Sequence, residues 1–409
     1  MSDILQPGPI TTLHLLESDV EPKIEQEIEE ASNNRPIALV LPSLVSEMDG
    51  PALGGIMEVL KSVDYLSEIV VTLGPASREE FERACSFFQP LQKPGRRVRI
   101  IWNDGDRIEA LYDEIRDAGL TPGPQGKGRS AWMAYGYVVA RGEAYVIALH
   151  DCDIVTYDKN LLNRLVYPTV MPDLDYEFCK GYYCRVTDRL YGRVCRLLVS
   201  PLITSLIRIL GNLPILDYLT AFRYPLAGEF SMIADLSRIS RIPADWGLEV
   251  GVLAEVFRNC SPKRICQVEL CHNYEHKHQA LSQDDPEKGL NKMAIDICGT
   301  IFRTLFSSGV VLSAGFFNTL RATFLKEAQD LMVMYHDDSR INGLHHDRHA
   351  EALAIEMFTK AVRVSGEQIQ IDPLGRPLIP QWNRVFAAVP RMQAKLVESV
   401  DADNQPYFE

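Results

Sequence analysis

The chain has 409 residues, 46% of them hydrophobic and 24% charged, and a formal net charge of −13. That length suits one large α/β domain with an appendage, or two domains, and the composition is that of an ordinary folded globule. The acidic balance excludes general affinity for nucleic acid or anionic membranes, and no run of 18 apolar residues is free of charge, which excludes a membrane-spanning helix. Nine cysteines occur without CxxC or zinc-finger spacing, and the polar opening carries no signal-peptide pattern, so a reduced cytoplasm is the expected setting.

Residues 1–34 read as a polar lead-in with an acidic helix over Glu21 to Asn33. Strands are predicted at Ile37–Leu41, stopping at Pro42, then at Glu68–Thr72, Arg97–Trp102 and Tyr145–Leu149. Helices are predicted between them at 54–63, 78–88 (capped by Ser77), 108–118 and 130–140, with a Gly/Pro loop over 121–128. Strands alternating with helices imply βαβ units and a mainly parallel sheet. Beyond Asp153 the pattern becomes α+β: a strand at 177–186, helices at 194–210, 228–239 and 246–257, a strand at 264–270, then a His-rich segment at 271–278. From about 285 to 409 it is mainly helical, near 286–306, 310–336, 346–364 and 383–399. The apolar spacing of this tail suits packing across the preceding domain or a dimer seam, and a homodimer is the expected assembly.

The chemistry concentrates where the Tyr145–Leu149 run ends in Asp151-Cys152-Asp153. In open α/β sheets ligands sit beyond the carboxyl ends of strands. Alternation along an extended chain sends Asp151 and Asp153 to one side and Cys152 to the other. Two such carboxylates suit Mg²⁺ or Mn²⁺ bridging to a diphosphate, although Asp-x-Asp is also common in loops. Gly126-Lys127-Gly128 before a helix lacks full P-loop spacing, yet can offer backbone N–H groups and one ammonium to a diphosphate. His272 and His276 have the spacing of one helix face, but they follow a strand and lack zinc-protease context; one imidazole completing a divalent-metal site fits better. Arg185, Arg189, Arg193 and Arg196 crowd one segment and make a local positive field suited to phosphate or carboxylate. Glu229 and Glu249, just before or inside helices, can partner a helix dipole or reach into a cleft.

In this order the pieces resemble glucosyl-3-phosphoglycerate synthases, retaining glycosyltransferases of the GT-A fold. The resemblance runs from about Ile37 to Ala280. It rests on Leu41-Pro-Ser-Leu44, Gly126-Lys-Gly128, Asp151-Cys-Asp153, Gly192-Arg-Val194, Ser200-Pro-Leu202, Pro225-Leu-Ala-Gly-Glu229, Trp246-Gly-Leu-Glu-Val-Gly251 and Gln267-Val with His276. Mannosyl-3-phosphoglycerate and mannosylglycerate synthases share parts of this set. The resemblance implies an α/β GT-A domain divided into a nucleotide-sugar half (35–155) and an α+β acceptor half (156–284), followed by a helical C-terminal region (285–409). Pro42, Ser43, Leu44 and Glu47 would line the nucleoside pocket together with Cys152. Lys127 would touch the diphosphate. Asp153 would bind the metal directly, with Asp151 supporting ribose and metal and His276 as the distal ligand. Trp246 and Glu249 would face the donor sugar. Gly192, Arg193, Val194 and Cys195 would hold the acceptor phosphate, with His278 nearby. Cys195 and His278 depart from the Thr and Asn of the mycobacterial-type enzymes, and Gly74-Pro-Ala-Ser77 replaces an aspartate-rich turn.

The implied reaction moves glucose from UDP- or GDP-glucose to the 2-hydroxyl of 3-phospho-D-glycerate with retention, with a divalent metal, Mg²⁺ or Mn²⁺, and Lys127 and Glu249 as catalytic candidates beside Asp153. Retention is drawn in this family as same-face attack, with the leaving diphosphate taking the acceptor proton. Three rivals stand beside it: a GDP-mannose-dependent mannosyltransferase acting on 3-phosphoglycerate or glycerate, a non-catalytic sugar-nucleotide-binding scaffold, and a nucleotidyltransferase.

Overall fold

The computed structural model describes residues 4, 6, 8–16, 20–276, 289–375 and 377–408. Eight strands form one sheet: β1 (Thr11–Leu13), β2 (Ile37–Ser43), β3 (Leu66–Leu73), β4 (Arg97–Trp102), β5 (Val146–Leu149), β6 (Phe178–Tyr183), β7 (Phe230–Ile233) and β8 (Ile265–Cys271). Their order is β1-β8-β6-β7-β5-β2-β3-β4, and all pairings are parallel except those that β7 makes with β5 and β6. The central strands are buried on both faces, as parallel sheets covered by helices require. Ile37, Leu39 and Leu41 of β2 join the core on one face, beneath the helices Glu21–Ser32, Pro51–Lys61, Arg78–Phe88 and Lys159–Val170. Ala38 and Val40 join the core on the other face, with the helix Lys127–Arg141 and the C-terminal helices. This is the α/β architecture expected, with its helical C-terminal region.

Several elements differ from expectation, each for a local reason. β2 runs through Pro42 to Ser43; β5 pairs with it only as far as Val40, so beyond that point the strand has a neighbour on one side and a proline is tolerated. The predicted helix at 228–239 is instead β7 followed by a short helix, Ala234–Ile239. Phe-Ser-Met-Ile is a short apolar run, and periodicity alone cannot tell a buried strand from a helix turn at that length. The helix predicted from Ser130 begins at Lys127, with Gly126 at its N-cap. The 194–210 helix contains a π-turn at Cys195–Val199, just before Pro201, whose missing N–H interrupts the α-ladder. The 271–276 segment is not helical, so His272 and His276 do not share a helix face. β1, unforeseen in the lead-in, adds to the sheet edge beside β8.

The C-terminal helices Gly289–Ser307, Ala314–Ile341, Arg348–Ile371, Trp382–Ala388 and Met392–Asn404 pack back onto the apolar core on one face of the sheet. The expected helix over 383–399 breaks at Pro390, and Arg391 takes a φ of 60° before the last helix begins. Trp382 stacks on Trp132 with ring centroids 4.1 Å apart, and each indole N–H donates to a backbone oxygen of the other segment. Gly136 makes the room: a Cβ there would lie 2.0 Å from the Trp382 ring. At the end of the tail, the Asn404 amide bonds both the N–H and the C=O of Ile100, on the outer edge of β4.

Candidate active site

The site forms at the carboxyl ends of β2 and β5. Burial alternates along 151–153 as the sequence predicts: Cys152 is buried in the apolar core and its flanking aspartates are half-buried. After β2 the chain passes through Ser43 and Leu44 into a 3₁₀ turn, Val45–Asp49. Glu47 folds back from that turn, its Oε2 accepting from the Leu44 N–H at 3.1 Å and the Ser43 hydroxyl at 3.2 Å. Burial pushes its carboxyl up to about 7, and the Asp153 and Asp151 charges add to the rise. Ser43 and Cys152 are buried, Pro42 half-buried and Leu44 exposed.

Lys127 is the first residue of its helix. A Cβ on Gly126 or Gly128 would come within 2.6 Å of the Ala244 carbonyl and 2.0 Å of the Pro243 carbonyl, so glycine is required for this close approach. A cation at a helix N-terminus faces an unfavourable dipole. Here two carboxylates offset it: Asp151 Oδ1 lies 2.6 Å from the ammonium, and Glu249 Oε1 lies 3.1 Å away. Burial alone would lower the Lys127 pKa, but Asp151 and then Glu249 outweigh it and hold the ammonium well above its ordinary range. Burial likewise pushes Asp151 up, and the Lys127 charge and hydrogen bond reverse this, leaving it below the usual carboxylate range. Glu249 sits in the first turn of the helix Leu248–Asn259, and Trp246, half-buried, lies in the turn before it.

Asp153 faces His276, whose Nδ1 lies 3.6 Å from Oδ2. Backbone pairing fixes this approach: Ile154 bridges His276, and the Val155 N–H donates to the Glu275 carbonyl at 2.8 Å. Among the described residues no three His, Cys, Asp or Glu side chains converge as a ready-made metal centre. One carboxylate and one imidazole nevertheless form a donor set that suits a divalent ion, provided a ligand's oxygens complete the shell.

A buried polar layer underlies these groups, and sequence reading missed most of it. Glu229, fully buried, accepts from the Tyr183 hydroxyl at 2.7 Å and from the Tyr274 hydroxyl, whose rings stack 3.7 Å apart. Burial and then the Asp151 charge raise its pKa. A Cβ on neighbouring Gly228 would lie 2.4 Å from Asp151 Oδ2, so this glycine admits the carboxylate. Lys180 lies buried in β6 and donates to the Ala227 carbonyl; burial brings its pKa down to about 8, with Glu249 and Glu229 opposing the fall. The one signal in the sequence was a lysine inside an otherwise apolar strand.

The arginine segment divides its labour. Arg196 donates to the Tyr191 and Leu190 carbonyls and pairs both ends with Glu351 of the helix Arg348–Ile371, at 2.9 and 3.1 Å. Arg185 donates to the Tyr224 hydroxyl at 3.0 Å, and Arg189 pairs with Asp188. Arg193 is half-buried and lies 3.6 Å from Glu351. Gly192 takes a φ of +72° against the Tyr224 ring, turning the chain into the helix that starts beyond it; the Val194 and Cys195 side chains are buried there. The structure therefore brings Lys127, Asp151, Glu249, Asp153, His276 and Glu47 into one region. His278 lies outside the described residues.

No family model matches the chain. It is 48% identical over 404 residues to a glucosyl-3-phosphoglycerate synthase of Persephonella marina, covering 99% of each chain. It is 39% identical over 405 residues to one of Methanococcoides burtonii, covering 98% of each. Among solved structures it is similar to the glucosyl-3-phosphoglycerate synthase of Mycobacterium tuberculosis in complex with Mn²⁺, UDP-glucose and phosphoglyceric acid. The TM-score there is 0.53 at 22% identity, over 75% of this chain and 90% of that one, a likeness of fold.

Proposed function

This chain belongs to the glucosyl-3-phosphoglycerate synthase family of glycosyltransferases, and from that premise we propose that it moves glucose from UDP-glucose to the 2-hydroxyl of 3-phospho-D-glycerate with retention. The observation that carries the reading is the Asp151–Lys127–Glu249 cluster at the ends of β2 and β5, with Asp153 facing His276 beside it. The structural neighbour is named with UDP-glucose, Mn²⁺ and phosphoglyceric acid, which supports UDP over GDP and a phosphorylated acceptor.

The hard step is departure of the nucleoside diphosphate, because negative charge grows as the bond from sugar C1 to phosphate oxygen stretches. Lys127 stays protonated and is held in place by two carboxylates, so its charge is preorganised toward that oxygen at no cost in reorientation. The N-terminus of its helix adds a dipole of the same sign. Asp153 and His276 would hold a divalent cation, which when bound supplies further neutralisation of the diphosphate. Ser43, Leu44 and Glu47 line the nucleoside pocket with Pro42, Cys152 packs in the core behind it, Asp151 supports the ribose, and Glu249 and Trp246 orient the glucose ring. Gly192, Arg193, Val194 and Cys195 bind the acceptor phosphate. The acceptor 2-hydroxyl attacks C1 from the face the diphosphate leaves, and its proton passes to the departing phosphate oxygen. No protein nucleophile is needed, unlike in retaining hydrolases.

A donor-by-acceptor matrix tests this: UDP-glucose, GDP-glucose and GDP-mannose against 3-phosphoglycerate and glycerate, with Mg²⁺, Mn²⁺ or EDTA. UDP-glucose with 3-phosphoglycerate should be the productive pair and should require the metal. Asp153→Ala and His276→Ala should each abolish that turnover in a folded protein. Preference for GDP-mannose, or full turnover in EDTA, would overturn the reading.

A further inference from the structure

We propose that the C-terminal helical region is part of the acceptor site: Glu351 positions the Arg193 guanidinium, and His346 presents Nε2 beside it as a second donor to the acceptor phosphate. The inference deepens the function proposed above and rests on the acceptor role given there to Arg193.

The turn joining the helices Ala314–Ile341 and Arg348–Ile371 lies against the arginine segment. The His345 N–H donates to the Asp188 carbonyl at 2.8 Å, and the Tyr335 ring lies 4.7 Å from the Arg196 guanidinium. Between the two segments is a cavity of about 20 Å³, lined by Arg189, Arg193, His345, His346, Asp347 and Glu351; the Asp347 carboxylate accepts from the Ala350 N–H as the cap of its helix. The cavity is large enough for one oxygen atom. Among the described residues two buried nitrogens of these lining residues make no hydrogen bond: Arg193 Nε, which has Glu351 Oε1 3.6 Å away, and His346 Nε2. Buried polar nitrogens without partners are costly, and two of them on residues that line one small cavity point to a ligand oxygen that would satisfy them once the side chains turn toward it.

The charge arrangement favours an anion. Arg196 spends its guanidinium on the Tyr191 and Leu190 carbonyls and on Glu351, and Arg189 is paired with Asp188. Glu351 is 5% exposed and faces two arginines, so its single charge is committed bidentately to Arg196 and reaches Arg193 only at 3.6 Å. Among the described residues that leaves the Arg193 guanidinium oriented by Glu351 without a close bidentate pair. Burial lowers the His346 pKa, which leaves a neutral imidazole at physiological pH, and a neutral imidazole can donate from Nε2.

The test uses the full chain with UDP-glucose, 3-phosphoglycerate and Mg²⁺. Glu351→Ala and His346→Ala should each raise KM for 3-phosphoglycerate by about tenfold or more, the size of a lost charge-assisted hydrogen bond, while KM for UDP-glucose stays within about twofold. His346→Gln keeps a donor at similar reach and should recover most of the loss; a merely structural histidine would not be rescued this way. Adding Glu351→Ala to Arg193→Ala should cost little further acceptor affinity, because Glu351 acts through Arg193. If Arg193→Ala leaves KM for 3-phosphoglycerate unchanged, the acceptor assignment itself fails and this inference with it. If Arg193→Ala raises it but Glu351→Ala and His346→Ala do not, the tail inference alone is overturned.

Discussion

At the residue scale, the protonation of the buried carboxylates, in the site and away from it, is set by what lies beside them. Asp151 has a close ammonium and is held below its ordinary range; Glu47 and Glu68 are buried with weaker compensation and both rise to about 7. A carboxyl raised in the folded state binds a proton that the unfolded chain has already released. Between about pH 4.5 and 7, these two groups therefore make the native state lose stability as pH rises. Thermal unfolding of the ligand-free protein followed across that window should show a falling contribution, and Glu47→Gln with Glu68→Gln should flatten it. Asp151 acts in the opposite sense: its contribution is present above its unfolded pKa of about 3.8 and is lost on acidification below it. A profile that the double variant leaves unaltered would remove both glutamates from this account. The pattern of acidic residues alone could not separate these cases. Asp151-Cys-Asp153 is legible because alternation at the end of a buried strand is a local rule, whereas the environment of Glu68 depends on Arg141, brought to 3.5 Å only by the fold.

At the scale of elements, what was legible is what short-range pattern controls. β4 and the helix Arg78–Phe88 have the boundaries predicted for them, the helix because Ser77 caps it through the Glu80 N–H at 3.3 Å. β7 was not legible, because its strand character comes from antiparallel partners on both sides, β5 and β6, and from nothing within four residues. The contribution of Glu351 was hidden for a related reason. A glutamate in the first turn of a helix reads as a dipole partner, and the arginine it meets lies 155 residues earlier in the chain. The Trp132–Trp382 stack joins two elements in the same long-range way. Trp382→Ala should destabilise the chain by about 3–5 kcal/mol in denaturant unfolding, the usual loss for a buried tryptophan. Since Trp132 lies on the helix that begins with Lys127, the variant should also weaken catalysis before the protein unfolds. A cost below about 1 kcal/mol would mean that the tail docks independently of this pair.

At the scale of the molecule, one sheet carries the Asp151–Lys127–Glu249 cluster at its centre while the C-terminal helices wrap around to the arginine segment, to the Lys127 helix and to the far edge of the sheet. Catalytic and tail segments therefore share one apolar core, which joins the helices Lys127–Arg141, Ser200–Leu210 and Arg348–Ile371. The last of these contacts has a consequence for how molecules of this protein meet each other. An outer strand with free N–H and C=O groups invites another chain to add itself as the next strand. Asn404 occupies that place at Ile100 with a side-chain amide, which satisfies both groups and cannot be extended. The opposite edge is β1, three residues long. Asn404→Ala should accordingly leave the fold intact but produce concentration-dependent self-association in light scattering. If the variant stays as dispersed as the parent chain, the amide serves only to anchor the final helix.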